Sequence, residues 1–141
     1  MPPSSPVSPA ISARIIHAAL VLGVLTFWLV GWYIGRSAAV PADALPDRRV
    51  LYVALTLVSA TLFGGAMFTA HRLGPVRSGT SQDDWWRQNM GKAIVIWSLV
   101  EAPSLLGLVA YILTRDFRTL IATFIGLLFF GSYRPSRLIE R

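Results

Sequence analysis

Four apolar segments dominate this 141-residue chain and limit what it can fold into. A helix crosses the hydrocarbon core of a bilayer with about twenty consecutive apolar residues, and three of the segments reach that length. The fourth is shorter, at about fifteen residues, and suits a thinner stretch of bilayer. The sequence therefore predicts an all-α polytopic membrane protein with four transmembrane helices in an antiparallel bundle, at residues 15–34, 50–70, 93–113 and 119–133.

The composition also favours a membrane protein. Charged residues make up 14% of the chain and hydrophobic residues 54%, whereas soluble domains carry about 25% charged residues. The basic residues behind the net charge of +6 lie outside the apolar segments, where they meet lipid headgroups. We therefore expect membrane lipid, and no nucleic acid, as a partner. The absence of cysteine excludes disulfides and thiolate metal sites.

The N-terminal region divides into a tail and a first span. Residues 1–12 are rich in proline and serine and are expected to be a disordered tail, followed by a transmembrane domain over residues 13–141. The first apolar segment also has the basic start of a signal peptide. It exceeds the roughly 7–15-residue apolar core of such peptides and ends in an interfacial aromatic pair. We therefore expect a retained helix.

The distribution of basic residues predicts the orientation. An even number of spans places both termini on one side of the membrane. That side would carry eight basic residues and the opposite side five. The positive-inside rule then predicts that both termini are cytoplasmic.

Small and aromatic residues mark the expected contacts of the spans. Helices in lipid associate where small residues allow their backbones to approach. Two motifs of this kind predict helix packing, at Gly31 and Gly35 in the first segment and at Ala60 and Gly64 in the second. Aromatic residues next to the spans predict interfacial anchors: Trp32, Tyr33, Trp85 and Trp86.

Glu101 is the only Asp, Glu, Lys or Arg inside the four apolar segments. It lies near the middle of the third segment, where an ionised group costs on the order of 3 kcal/mol or more. Ser98 and Ser104 are expected on the same helix face. Pro103 lacks an N–H and frees the carbonyl of Leu99 within a turn of the carboxyl. Because no basic residue lies at this depth, we expect a neutral, protonated Glu101.

Two roles for this carboxyl remain open. As a functional group, Glu101 would carry a proton or a cation across the membrane. As a structural group, it would form a hydrogen bond across a helix interface, within the chain or with another subunit.

Two histidines form a second candidate site. His17 lies near the start of the first segment and His71 at the end of the second, so both are expected on one side of the membrane. Two imidazoles from neighbouring helices can ligate a haem iron. Alternatively, both histidines lie at the level of the lipid headgroups. Nothing in the sequence resembles a metalloprotease motif, a phosphate-binding glycine loop or a Ser/His/Asp set, so we expect neither an enzyme nor a cofactor.

Residues 99–113 (LVEAPSLLGLVAYIL) carry two resemblances. The segment resembles a helix of small bacterial four-helix integral membrane proteins of uncharacterised activity, which implies a bacterial inner membrane. It is also similar to the carboxyl-bearing helix of rotary ATPase proteolipid subunits, which implies that Glu101 matches their ion-carrying carboxyl. The glycine-repeat helix of proteolipids has no counterpart in this sequence.

These observations lead to one expected function and one alternative. We expect a small structural or accessory protein of the bacterial inner membrane that packs against itself or a larger membrane complex. The alternative is a component of proton or cation translocation that uses Glu101.

Overall fold

The computed structural model describes residues 7–37, 47–76 and 79–140, and every element in these ranges is a helix. The elements follow one another along the chain as α1 (Pro9–Ser37), α2 (Arg48–His71), α3 (Gln82–Thr114), a 3₁₀ turn (Phe117–Thr119), α4 (Leu120–Ser132) and α5 (Pro135–Ile139). The prediction of an all-α chain is confirmed.

Three of the helices are long and apolar enough to cross a membrane, which points to a membrane location. α1 has 29 residues, α2 has 24 and α3 has 33. At 1.5 Å per residue these helices are about 36–50 Å long, more than the hydrocarbon thickness of about 30 Å. α4 has 13 residues and is about 20 Å long. It is therefore too short to cross such a core by itself.

α3 is the central helix and contacts each of α1, α2 and α4. Half of its apolar window is buried inside the protein, against 11% for α1 and 17% for α2. Its inward side chains, among them Ile96, Trp97 and Val100, are fully buried. α1 and α2 turn large apolar side chains such as Leu29 and Leu57 outward. Their outer faces therefore suit contact with lipid chains.

α3 begins at Gln82, well before the start at residue 93 that the hydropathy pattern predicts. Ser81 is its N-cap, and the Ser81 Oγ accepts a hydrogen bond from the Asp84 backbone N–H at 3.1 Å. Asp83 and Asp84 lie in the first turn, where the helix dipole favours negative charge. The charged residues of this extension lower its mean hydropathy, so a search for apolar segments does not detect it. The capping residues nevertheless stabilise it as a helix.

α1 also begins earlier than expected, at Pro9, within the segment interpreted as a disordered tail. Proline suits the first turn of a helix because its missing N–H has no helical partner there. Ser8, just before the helix, donates from Oγ to Asp83 Oδ1 at 2.5 Å. The same carboxylate oxygen accepts from the Ala10 backbone N–H at 3.3 Å. These bonds join the start of α1 to the start of α3, and residues 1–6 lie outside the described ranges.

Contacts along α3 show which ends of the helices meet. The start of α1 meets the start of α3, and Gly35 near the end of α1 lies against Tyr111 near the end of α3. Tyr52 at the start of α2 reaches Asp116, just beyond the end of α3. The end of α4 lies level with the middle of α3, where Trp97 donates to the carbonyl of Tyr133.

Candidate functional site

Glu101 lies in the middle of α3, on the side that faces α1. Residues four apart share a helix face, and Trp97, four residues before Glu101, contacts α1. Trp97 packs edge-on against His17, with 5.2 Å between ring centroids. Leu105, four residues after Glu101, and Trp28 of α1 both pack against the same apolar cluster. Glu101 itself is half-buried.

The carboxyl of Glu101 has no hydrogen-bond or ion-pair partner within residues 7–37, 47–76 and 79–140. Ser98 is exposed, and Ser104 is fully buried. The Ser104 Oγ donates to the Val100 carbonyl at 2.8 Å. Three residues spaced three apart spread over about 120° of a helix surface. The polar stripe expected from the sequence is therefore divided among an outer face, the α1 side and the α4 side.

α3 and α4 approach each other closely through small residues. A Cβ on Gly107 would lie 2.7 Å from the backbone oxygen of Thr119, and a Cβ on Gly126 would overlap the Ser104 Oγ. The Thr123 Oγ1 donates to the Ser104 carbonyl at 2.8 Å. Close backbone approach and a hydrogen bond between helices are the interactions that hold helices together in lipid.

The C-terminal end of α4 receives donors from two other helices. The last carbonyls of a helix lack helical partners, and each unpaired polar group in hydrocarbon costs several kcal/mol. The His17 Nε2 of α1 donates to the Phe130 carbonyl at 3.1 Å. The Trp97 Nε1 of α3 donates to the Tyr133 carbonyl at 2.9 Å. α1 and α3 thereby satisfy the end of a helix that is too short to reach water across a bilayer core.

A group of aromatic rings surrounds this end of α4. Trp86 lies 6.2 Å from Trp97 and 5.0 Å from Trp85 between ring centroids. Trp85 and Trp86 are only 3% and 1% exposed, and the Trp85 Nε1 donates to the Gly74 carbonyl at 3.0 Å. An interfacial anchor presents its ring to lipid headgroups. Because both rings face protein, the structure favours a packing role for this pair.

The other expected anchors, Trp32 and Tyr33, lie near the opposite end of the bundle. Trp32 is half-buried and stacks on Tyr111, with 6.3 Å between ring centroids. Tyr33 is 74% exposed. Its exposed ring suits a membrane interface, and anchoring by this pair stays a prediction.

The two histidines occupy different environments. The His17 Nε2 donates to a carbonyl, which only accepts, so this nitrogen carries the proton and offers no lone pair to a metal. His71 is exposed at the end of α2. Across the described ranges, no three side chains of His, Cys, Asp or Glu are grouped so as to hold a metal ion. Haem ligation by these two histidines stays a prediction.

The two packing motifs differ in what they contact. A Cβ on Gly31 would lie 3.2 Å from the Ile112 Cδ1, so the first motif lies against α3. Gly64 has no atom within 4 Å of such a Cβ, and Ala60 is exposed. It is Gly65 that approaches α3, with its added Cβ 3.6 Å from Leu99. Ala60 lines a cleft between α2 and α4, so helix packing through the second motif stays a prediction.

A polar cluster lies at the turn between α3 and α4. The Tyr52 hydroxyl donates to Asp116 Oδ2 at 2.5 Å, and this hydrogen bond holds the pKa of the Asp116 carboxyl below its usual range. The backbone N–H of Arg118 donates to the other carboxylate oxygen at 2.9 Å and acts in the same direction. The charges of Arg118 and Arg48 add to the effect. The cluster ties the start of α2 to the start of α4.

Sequence reasoning missed the contact between α3 and α4 and the donors at the end of α4. Ala122 and Gly126 form a small-xxx-small pair in the fourth segment, and Ser104 and Gly107 lie close together in the third. These pairs were the available signal for a close contact. No sequence pattern marks His17 as a donor, because its acceptor is a backbone carbonyl from a distant part of the chain.

The chain was compared with models of protein families, with curated proteins and with solved structures, and none of these comparisons found a match.

Proposed function

We propose that this protein is a structural or accessory subunit of a membrane assembly that packs through α3 against a second copy or another membrane protein. In the proposed arrangement, four antiparallel spans lie in a bacterial inner membrane with both termini in the cytoplasm. If α4 counts as a span, the excess of basic residues on the side of the termini supports this orientation.

The observation that carries the proposal is the carboxyl of Glu101. It is half-buried at mid-helix, and no group in the described part of the chain bonds to it. A polar group at membrane depth usually faces protein or water rather than lipid. A neighbouring helix with a hydrogen-bonding group would satisfy this carboxyl.

A comparison of two substitutions at this position tests the proposal. The full chain is purified in mild detergent, and its mass and copurifying subunits are measured for wild type, Glu101→Gln and Glu101→Leu. The carboxamide keeps hydrogen-bonding groups, whereas leucine has none. We expect wild type and Glu101→Gln to retain the partner and Glu101→Leu to lose it. A wild-type protein that is monomeric and alone would contradict the proposal.

The same carboxyl favours proton or cation translocation as a second candidate. Glu101 is available to bind a proton or cation because no described residue pairs with it. Pro103 has no N–H to donate to the Leu99 carbonyl, so a further acceptor lies within a turn. The resemblance of this segment to proteolipid helices supports the same role.

Flux measurements separate the two candidates. In liposomes loaded with a pH indicator, translocation through the carboxyl predicts that Glu101→Gln abolishes proton flux, because an amide does not titrate. The accessory role predicts that this variant still binds its partner. Equal flux in wild type and Glu101→Gln would exclude the translocation role.

A further inference from the structure

A cleft of about 270 Å³ opens between α2 and α4. The two helices touch at few places. Thr56, Ser59 and Phe63 line the cleft from α2, and Arg118, Ala122 and Ile125 line it from the α4 side. The walls extend over eight residue steps on α2, from Leu55 to Phe63, and seven on the α4 side, or about 10–12 Å. The cleft thus leads from the turn at the start of α4 toward the middle of the bundle.

Ser59 distinguishes this cleft from the other helix contacts. Its side chain is 7% exposed, and its Oγ is the only buried side-chain polar atom in the described ranges that lacks a hydrogen-bond partner. Serines and threonines in helices commonly donate to the carbonyl four residues earlier. Ser104 and Thr114 do so at 2.8 and 2.7 Å. The Ser59 Oγ is covered and unbonded, so the contact of α2 with α4 leaves a buried donor unsatisfied beside the cleft.

The mouth of the cleft is basic. Arg118 lines it, and Arg48 lies close enough to act on the same carboxylate, Asp116. Two guanidinium groups against one carboxylate leave an excess positive charge at this end. Arg118 is exposed and lies at the boundary between the polar turn and the apolar helix α4. A negatively charged headgroup at the membrane surface matches this position.

We propose that the α2–α4 cleft binds one anionic phospholipid, with its phosphate on Arg118 and Arg48 and the upper part of one acyl chain between the helices. The proposal does not depend on the accessory role or on Glu101.

The size and lining of the cleft favour a lipid over a soluble metabolite. Pockets for small molecules usually hold about 300–1,000 Å³ and enclose most of the ligand. This cleft is smaller, is open along one side and has mainly apolar walls such as Phe63, Ala122 and Ile125. A segment of an acyl chain fills such a space while the remainder of the lipid stays in the bilayer.

Native mass spectrometry of the full chain in mild detergent tests the proposal with phosphatidylglycerol and phosphatidylcholine as probes. We expect wild type to retain one phosphatidylglycerol in preference to phosphatidylcholine. Arg118→Gln is expected to weaken that preference about fivefold, the effect of one basic residue at a membrane surface. Arg137→Gln, on the exposed side of α5, removes the same charge at the other end of the bundle and is expected to change nothing.

A second pair of variants tests the cleft itself. Ala60 is exposed and lines the cleft, so Ala60→Phe fills it without disturbing the core. Val53→Phe places the same ring on an exposed position of α2 as a control. Loss of bound phosphatidylglycerol in Ala60→Phe alone supports the proposal. Equal lipid binding in Ala60→Phe and wild type, or equal losses in Arg118→Gln and Arg137→Gln, would overturn it.

A photoreactive amino acid at position 60 identifies the occupant in native membranes. Capture of phospholipid supports the proposal. Capture of a second copy of the chain or of another polypeptide would overturn it.

Discussion

The two sides of α4 differ in how they meet their neighbours. Toward α3, the backbones approach so closely that a Cβ on Gly107 would contact the Thr119 carbonyl oxygen, and the Thr123 hydroxyl is bonded. Toward α2, a cleft of about 270 Å³ remains and the Ser59 hydroxyl is unbonded. Helices in lipid gain little from apolar burial alone. Small residues and satisfied hydroxyls therefore decide which contact closes, and the side without them stays open.

The largest expected effect comes from disrupting the close contact between α3 and α4. Gly107→Ala places a Cβ 2.7 Å from a backbone oxygen that cannot move without shifting α4. We expect a loss of about 1–3 kcal/mol in the free energy of unfolding, as for other overpacked sites. Thermal unfolding in detergent measures it. Gly91→Ala, on the same helix with open space around its Cβ, is expected to stabilise by up to about 1 kcal/mol. Equal losses of unfolding free energy in Gly107→Ala and Gly91→Ala would show that the close approach of α4 does not cause the destabilisation.

The next effect comes from the end of α4. Trp97→Phe keeps an aromatic ring but removes the N–H that donates to the Tyr133 carbonyl. The loss of a donor to a buried group costs about 1–3 kcal/mol, and chemical unfolding in detergent measures it. The control is Trp28→Phe, since Trp28 contacts Trp32 by ring stacking. Equal losses in the two variants would assign the effect to ring size rather than to the hydrogen bond.

Two hydroxyl deletions sharpen the comparison because one is expected to lower the free energy of unfolding and the other is not. Thr123→Val removes a bonded hydroxyl, and we expect a loss of about 1 kcal/mol in the free energy of unfolding. Ser59→Ala removes a buried hydroxyl without a partner. In protein freed of lipid, it is expected to leave stability unchanged or to raise it by up to about 1 kcal/mol. If Ser59→Ala lowers the free energy of unfolding under these conditions, the Ser59 hydroxyl is hydrogen-bonded like that of Thr123, and the contrast between the two sides of α4 fails.

The smallest effect concerns the cluster that ties α2 to the start of α4. The pKa of Asp116 is lowered in the folded protein, chiefly by the Tyr52 hydroxyl. Its stabilisation is therefore complete above the ordinary carboxyl value of 3.8 and is lost as the pH falls through the lower folded-state value. Tyr52→Phe is expected to be less stable than wild type at pH 6, with a difference that narrows below about pH 4. A difference that persists unchanged at pH 2 would exclude this carboxylate as its source.

The sequence predicts the helical architecture and the ends of α2 and α4 well, but it misses the starts of α1 and α3. Continuous apolar runs revealed α1, α2 and the middle of α3, because hydropathy over twenty residues is a strong signal. The first turns of α3 were missed, since Asp83, Asp84 and Arg87 make them polar although Ser81 caps them. Local capping chemistry extended this helix beyond its apolar part.

The candidate sites likewise divide into those that the sequence reveals and those that only the structure reveals. Glu101 was evident because a charge within an apolar segment stands out. The roles of His17 and Trp97 depend on where the backbone of α4 ends in space, and a single sequence does not contain that information. The small-xxx-small pattern predicted contacts at Gly31 and at Gly64 with equal weight. Only the structure separates a face packed on α3 from one turned outward.

The shortness of α4 bears on how the chain enters a membrane. With 13 residues, it lacks the length of about twenty at which a segment spans a bilayer unaided. Its last carbonyls accept hydrogen bonds from His17 and Trp97, and both of these residues are synthesised before α4 leaves the ribosome. α4 therefore gains a stable position only after α1 and α3 have come together. Protection of α4 from protease during synthesis would thus report that the earlier helices have already assembled.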